Sequence, residues 1–228
     1  MKPYYKDGHC TIYHGNCKDI LPLLDPSDLI VMDPPFDMWR TVRSIFEKGR
    51  REKETVICFT SPKHRGAVED IYGTPRYELI WHFDDGRWVS AKGPRITHEN
   101  IMVYGETGPA DVGERIVDRR PVKKGKGSIG KDVTEDRVYK PRLHKHLDSV
   151  LHYPRNVSAP LGVWSKPLPL MSTLIKWVNP RSIVDPFMGS GTTLLAAKNL
   201  GYRAIGIELK EECCEMAVDR LRQEVLNL

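Results

Sequence analysis

The sequence predicts an α/β domain built on a mostly parallel, twisted sheet with helices on both faces. Three observations carry that reading. Short apolar runs alternate with segments of helical period along most of the 228 residues. Leu29-Ile30-Val31-Met32 is apolar at every position, as a strand covered on both faces requires. Two apolar strands, Leu29–Met32 and Ser182–Val184, each run directly into a tight loop: Asp33-Pro34-Pro35-Phe36 and Asp185-Pro186-Phe187-Met188-Gly189-Ser190-Gly191-Thr192-Thr193. The length suits one large domain, or a domain carrying an insertion.

Taken in order, Thr11-Ile12-Tyr13 reads as a short strand, and Asp19 to Leu24 as a short helix stopped near Asp25-Pro26. Strand Leu29–Met32 follows, then a helix over Thr41–Phe46 and a buried strand over Thr55–Phe59. Tyr77–His82 and Asn100–Tyr104 are two further strands. From about residue 106 to 152 glycine, proline and charge replace the pattern, so 1–105 and 153–228 form the core and 106–152 an insertion, partly flexible. Leu168–Val178 is a helix whose Leu170, Leu174, Ile175 and Val178 share one face. Strand Ile183-Val184, helix Thr192–Leu200 closed by Gly201, strand Ala204–Ile207 ending on Glu208, and a last helix over Glu212–Leu226 complete the chain.

Composition narrows the function classes. No apolar run approaches the ~18–20 residues that cross a bilayer, and the N-terminus lacks the apolar stretch of a signal peptide. Five cysteines (10, 17, 58, 213 and 214) show no Cys-x-x-Cys spacing, which suits a reducing cytosol and argues against a metal site. The net charge is +5, but Arg119, Arg120, Lys123, Lys124, Lys126 and Lys131 lie in one stretch without an acidic residue. Such a run suits phosphate contacts by counterion release; the plain alternative is a solvated loop.

The loop at 185–193 has the form strand, glycine-rich turn, helix. Gly189 and Gly191 let the backbone approach a ligand closely, and the helix start offers free N–H groups to an anion. Glu208, at the end of the next strand, can accept both ribose hydroxyls of a nucleoside. A phosphate-binding P-loop needs a lysine before the Ser/Thr, and Gly191 is followed directly by Thr192. A dinucleotide fingerprint needs a third glycine that is absent. In Asp33-Pro34-Pro35-Phe36 the prolines stiffen the turn and hold Asp33 extended. The turn presents a carboxylate and a backbone carbonyl side by side. An exocyclic NH₂ has two hydrogens to give, to Asp33 and to the Pro34 carbonyl, while Phe36 can stack on the ring that bears it.

On these residues the chain resembles the DNA amino-methyltransferases that use S-adenosylmethionine. Asp33-Pro34-Pro35-Phe36 resembles their catalytic motif and Asp185–Gly191 their cofactor loop. The catalytic motif comes first, as in the circularly permuted β group, whose target-recognition region lies between the two; the insertion at 106–152 occupies that place. Asn16, after Gly15, resembles the Gly-Asp that opens such proteins and contacts the cofactor. Ser165-Lys166-Pro167 resembles the Lys-Pro element beside the cofactor's methionine end. The resemblance therefore implies a Rossmann-like methyltransferase fold. It assigns Asp33, Pro34, Pro35 and Phe36 to catalysis, and to cofactor binding Asn16, Lys166, Asp185, Pro186, Phe187, Gly189, Ser190, Gly191, Thr192, Thr193 and Glu208.

An initial aspartate is associated in this family mainly with adenine N6, an initial serine with cytosine N4. The implied activity is adenine-N6 methylation of a base flipped out of double-stranded DNA. Cytosine-N4 methylation and a catalytically silent nucleic-acid-binding module are the alternatives. No Pro-Cys dipeptide occurs, which argues against C5-cytosine chemistry. The six basic residues at 119–131 are the expected phosphate contacts; Arg137, Lys140, Arg142, His144 and His146 are base-reading candidates by composition. The implied setting is the cytoplasm of a prokaryotic or phage-infected cell, with self-association and a partner restriction nuclease both left open.

Overall fold

The computed structural model describes residues 1–35, 38, 42–43, 54–88, 92–107, 147–156 and 165–223. Phe36, the basic run 119–131, the base-reading candidates and most of the helix expected at Thr41–Phe46 lie outside them, although Val42 and Arg43 are helical.

Among the described residues nine strands form one sheet. They are β1 (Tyr5–Lys6), β2 (Cys10–His14), β3 (Leu29–Met32), β4 (Thr55–Thr60), β5 (Tyr77–Trp88), β6 (Arg95–Tyr104), β7 (Val150–His152), β8 (Ser182–Asp185) and β9 (Arg203–Glu208). Their spatial order is β1-β2-β9-β8-β3-β4-β6-β5-β7. The centre, β2-β9-β8-β3-β4, is parallel throughout, while β1 pairs antiparallel with β2 and β6 pairs antiparallel with both β4 and β5. The helices are α1 (Cys17–Ile20), α2 (Arg65–Tyr72), α3 (Leu168–Val178), α4 (Thr192–Asn199) and α5 (Glu211–Arg222).

Period-two alternation divides the core between the two faces. On β3, Leu29 and Val31 join Ile57, Phe59, Trp81, Leu170 and Leu174 in one cluster. Ile30 and Met32 join Val56, Cys58, Val68 and Tyr72 in the other. All four residues of β3 and all six of β4 are buried, which is why they carry continuous apolar or small uncharged side chains. Helix α3 lays Leu170, Met171, Leu174, Ile175 and Val178 on the first face and ends on Asn179, whose left-handed backbone (φ 53°) stops the helix.

The expected strands are present, several of them longer than the sequence suggested. Three short elements were not anticipated: β1, β7 and α2. β7 lies inside the segment expected to be inserted, yet it pairs parallel with β5 and buries Leu151, so the sheet resumes before residue 153.

The sheet order explains how motifs 152 positions apart can meet. β3 and β8 are parallel neighbours, with Leu29 opposite Ile183 and Ile30 opposite Val184. From β3 the connection leads outward to β4, and from β8 it leads the other way to β9. The loops leaving β3 and β8 therefore diverge at a topological switch point, where a crevice opens at the carboxyl ends of the strands.

Candidate active site

A cleft of about 400 Å³ opens at that switch point, lined by Val31, Asp33, Phe59, Ser165, Lys166, Met171, Asp185, Phe187, Met188, Gly189, Ser190, Thr192 and Thr193. Eight residues singled out from sequence line it: Asp33, Lys166, Asp185, Phe187, Gly189, Ser190, Thr192 and Thr193. Pro34, Pro186 and Gly191 are buried behind it, and Pro35 is exposed at its edge.

Asp33 follows the last residue of β3. Its Oδ2 accepts from Lys166 Nζ at 2.6 Å; Oδ1 has no partner among the described residues. The two neighbouring carbonyls differ. That of Pro35 accepts from Met38 N at 2.9 Å. That of Pro34 receives no hydrogen bond among the described residues. Asp33 Oδ1 and the Pro34 carbonyl are thus two adjacent acceptors with lone pairs to offer an amine.

Lys166 was expected at the cofactor. It does line the cleft, but its ammonium points into a box built by other strands. Nζ lies 2.6 Å from Asp33 Oδ2 and 3.0 Å from Glu99 Oε2. It also lies 5.0 Å from the Phe59 ring centre and 5.6 Å from that of Trp81. Trp81 on β5 and Glu99 on β6 are direct cross-strand partners, so the antiparallel register sets two walls of the box. Burial works against the Lys166 charge, but the carboxylates of Asp33 and Glu99 outweigh it and hold the ammonium well above its ordinary range. Asn156 fixes the backbone beneath: its Nδ2 donates to Ser165 O, Ser165 Oγ and Lys166 O at 3.1–3.3 Å. Glu99, Phe59, Trp81 and Asn156 escaped sequence reading. A signal existed for Glu99, since it alternates in phase with Ile101 and Val103 and so places a carboxylate on an otherwise apolar face.

The second loop is held from several sides. Asp185 Oδ1 accepts from Phe187 N at 3.0 Å and Oδ2 from Thr193 Oγ1 at 2.5 Å, so the carboxylate closes the loop on itself. Burial pushes the Asp185 carboxyl up to about 7; the two hydrogen bonds oppose this, and the charges of Asp33 and Glu208 add to it. Gly191 has φ 77°, and a Cβ there would come within 2.7 Å of the Ala217 Cβ. The glycine thus lets the loop take a left-handed turn while lying flat on α5. Glu208 sits just outside the cleft. Its Oε2 accepts from Gly189 N at 3.0 Å and its Oε1 from Lys210 N at 2.9 Å, so the carboxylate braces the glycine loop and keeps further lone pairs for a ligand. Asn16 is exposed at the neighbouring end of β2, where it caps α1 by accepting from Lys18 N at 3.0 Å; Gly15 N donates to Glu208 O at 2.8 Å. Asn16 and Glu208 therefore share one rim.

The residues fit a nucleoside cofactor with a cationic amino-acid tail. A carboxylate rim stands at one end, glycines leave the floor open, and a buried carboxyl faces the middle. Among the described residues no group of His, Cys, Asp and Glu is arranged to hold a metal ion, and no helix is long and apolar enough to cross a membrane.

Two loops of unlike chemistry meeting at the switch point of an α/β sheet make a Rossmann-like methyltransferase. The particular family follows from sequence: residues 60–219 match the DNA methylase family of N6 and N4 methyltransferases, and the chain belongs to it. It is 41% identical to the type II methyltransferase M.ScaI of Streptomyces caespitosus, covering all of this chain and 86% of that protein. It is 24% identical to M.BglII of Bacillus subtilis, over 93% of this chain and 69% of that one. Among solved structures, the cytosine-N4-specific PvuII DNA methyltransferase superposes with a TM-score of 0.69 at 14% identity, over 100% of this chain and 90% of that one. M1.HpyAVI in complex with SAM superposes with a TM-score of 0.62 at 21% identity, over 93% and 100%. The protein is a DNA methyltransferase of the N6/N4 type.

Two predictions test the loop. Between about pH 4 and 7 the folded chain keeps a proton on Asp185 that the unfolded chain releases, so this group's contribution to stability is present at low pH and is lost as pH rises through about 7. Asp185→Asn removes that dependence, and in denaturant unfolding its stability rises relative to wild type between pH 5 and pH 8; a gap that stays constant with pH refutes the assignment. Gly191→Ala combines a strained φ with a clash on Ala217 and costs about 1–3 kcal/mol in the same measurement.

Proposed function

We propose that this protein transfers a methyl group from S-adenosylmethionine to the N6 amine of adenine at a specific double-stranded DNA site. The observation that carries the reading is the placement of Asp33, at the end of β3 and directly before Pro34, in the same cleft as the glycine loop of β8. The aspartate that opens the motif favours adenine over cytosine. Glu208 and Asn16 would hold the nucleoside end of the cofactor, Asp185 its ammonium, and residues 189–193 the rest of its amino-acid tail. When bound, S-adenosylmethionine supplies a methyl group activated on a sulfonium.

The chain's own residues supply position and polarity. The target base leaves the duplex, at a cost of a few kcal/mol offset by stacking and pocket contacts. Its amine is a weak nucleophile because the nitrogen lone pair is delocalised into the ring. Hydrogen bonds from its two N–H groups to Asp33 Oδ1 and the Pro34 carbonyl return electron density to nitrogen. Lys166, on Oδ2, holds the Asp33 side chain in place and leaves Oδ1 for the amine, and Glu99 shares that ammonium. One amine hydrogen would leave as a proton by way of Asp33 to water, and the methyl group would take its place as its bond to the sulfonium breaks, leaving a neutral thioether. The rate gain comes from orientation and preorganised charge.

Phosphate contacts are assigned to Arg119, Arg120, Lys123, Lys124, Lys126 and Lys131, within the proposed target-recognition region. Cytosine-N4 methylation would use the same fold and pocket.

Transfer of labelled methyl to unmethylated DNA, followed by nucleoside mass spectrometry, decides the base: N6-methyladenine is expected, and N4-methylcytosine overturns the adenine reading. Asp33→Ala lowers turnover by about 100-fold or more while cofactor affinity stays within about twofold of wild type; an equal loss of affinity overturns the division of roles. Neutralising Lys123, Lys124 and Lys126 together weakens DNA binding and flattens the slope of log K against log salt by roughly one unit per lost contact. An unchanged slope returns the segment to a solvated loop.

A further inference from the structure

Arg220, on the last turns of α5, has no part in the roles assigned so far. Its Nη1 donates to Ser190 O at 2.7 Å, to Ser190 Oγ at 2.9 Å and to Thr192 Oγ1 at 3.1 Å. All three acceptors belong to the glycine loop, and both hydroxyl residues line the cleft while being about 95% buried. No carboxylate lies within ion-pair distance of Arg220 among the described residues, and burial alone lowers its proton affinity. The same spot is the N-terminus of α4, whose first N–H groups have no intrahelical partner and whose cap, Gly191, offers no side chain to them. A guanidinium and the positive end of a helix dipole thus share one corner, and the carboxyl at the first turn of α4, Asp185, is engaged by Thr193 Oγ1 and Phe187 N rather than by Arg220.

Hydrogen-bond direction shows what the corner is set to receive. Ser190 Oγ and Thr192 Oγ1 both accept from Arg220, so each hydroxyl has its own proton left to donate. With the free N–H groups of α4 they make a cluster of donors in a positive field, and the complementary group is a carboxylate. Asp185, buried on the other side of the loop, suits the adjoining ammonium.

We infer that Arg220 is a positioning residue which sets Ser190 and Thr192 as donors to the carboxylate at the amino-acid end of S-adenosylmethionine. It acts through the loop, without touching the ligand. The inference rests on the cofactor reading above and deepens it by separating the two ends of the ligand.

Calorimetric titration of the full chain with two probes tests it: S-adenosylmethionine, and 5′-methylthioadenosine, which keeps the nucleoside and lacks the amino acid. In Arg220→Met, affinity for S-adenosylmethionine falls by about tenfold or more, the value of one charge-assisted hydrogen bond, while affinity for methylthioadenosine changes by less than about twofold. Arg220→Lys keeps the charge and one donor and recovers part of the loss. Equal losses for both probes show general support of the loop and overturn the inference, as does no loss for either. Should Arg220→Met fail to unfold cooperatively, the same comparison between wild type and Arg220→Lys applies. Failure of the wild-type chain to bind either probe instead overturns the cofactor reading.

Discussion

The parallel pairing of β3 with β8 is the constraint on which the rest depends. Ile30 opposite Val184 sets the two strands in a register from which Asp33 and Asp185 leave at the same edge of the sheet. A shift by one residue would turn Leu29 and Val31 toward the other face and carry Asp33 away from the glycine loop. The register is protected because both faces are buried: alternate β3 residues belong to separate core clusters, and exchanging them would disturb both. The geometry of the cleft is thus fixed by the same apolar packing that stabilises the domain, and no special loop contact is needed to bring the two loops together.

Charge within the cleft is arranged by alternation of sign. Glu99, Lys166 and Asp33 form a minus-plus-minus chain whose outer end is an acceptor aimed at the cleft. On the other side, burial pushes the Asp185 carboxyl up to about 7, while Arg220 stands under the loop with no ion-pair partner among the described residues. Each half leaves one sign incompletely compensated, the state expected of a site that meets charged or strongly polar groups only on binding. The energetic penalty is borne by the surrounding sheet, whose strands β3 and β4 bury every side chain.

How much the sequence revealed follows from whether a signal was local. β3, β4 and β8 were legible because their apolar runs are bounded by breakers, and the two loops because their residue types are themselves the chemistry. Helix α2 was not: it begins Arg65-Gly66 and buries only Val68 and Tyr72, one i,i+4 pair, which is too little to stand out as a period. β1 and β7, of two and three residues, exist only through their partners. Lys166 lines the cleft beside Asp33 rather than beside the glycine loop, because Glu99, Phe59 and Trp81 reach it through a β5–β6 register invisible to spacing. Arg220 reads as one more solvated cation near the end of an amphipathic helix until the loop that lies across it, 28–30 residues earlier in the chain, is in place.

The same register constrains how DNA contacts can be distributed. β6 runs antiparallel to β4, with Asn100 opposite Thr60 and Tyr104 opposite Val56. The chain therefore departs after Tyr104 at the edge where β4 begins, the edge opposite Asp33. β7 runs parallel to β5 and so starts from that far edge too. A contact proposed for 119–131 at the Asp33 edge would have to cross the length of the sheet, about 20 Å for a six-residue strand. The twelve residues from Thr107 to Arg119 can span about 40 Å when extended, so the reach exists, at the cost of an extended path. Trp88 of β5 and Arg95 of β6 pair at the other edge of the sheet, the one where β4 ends. Phosphate contacts by the insertion at the cleft would therefore depend on that extended path, whereas Asp33 is fixed at the carboxyl edge of the sheet by β3 itself.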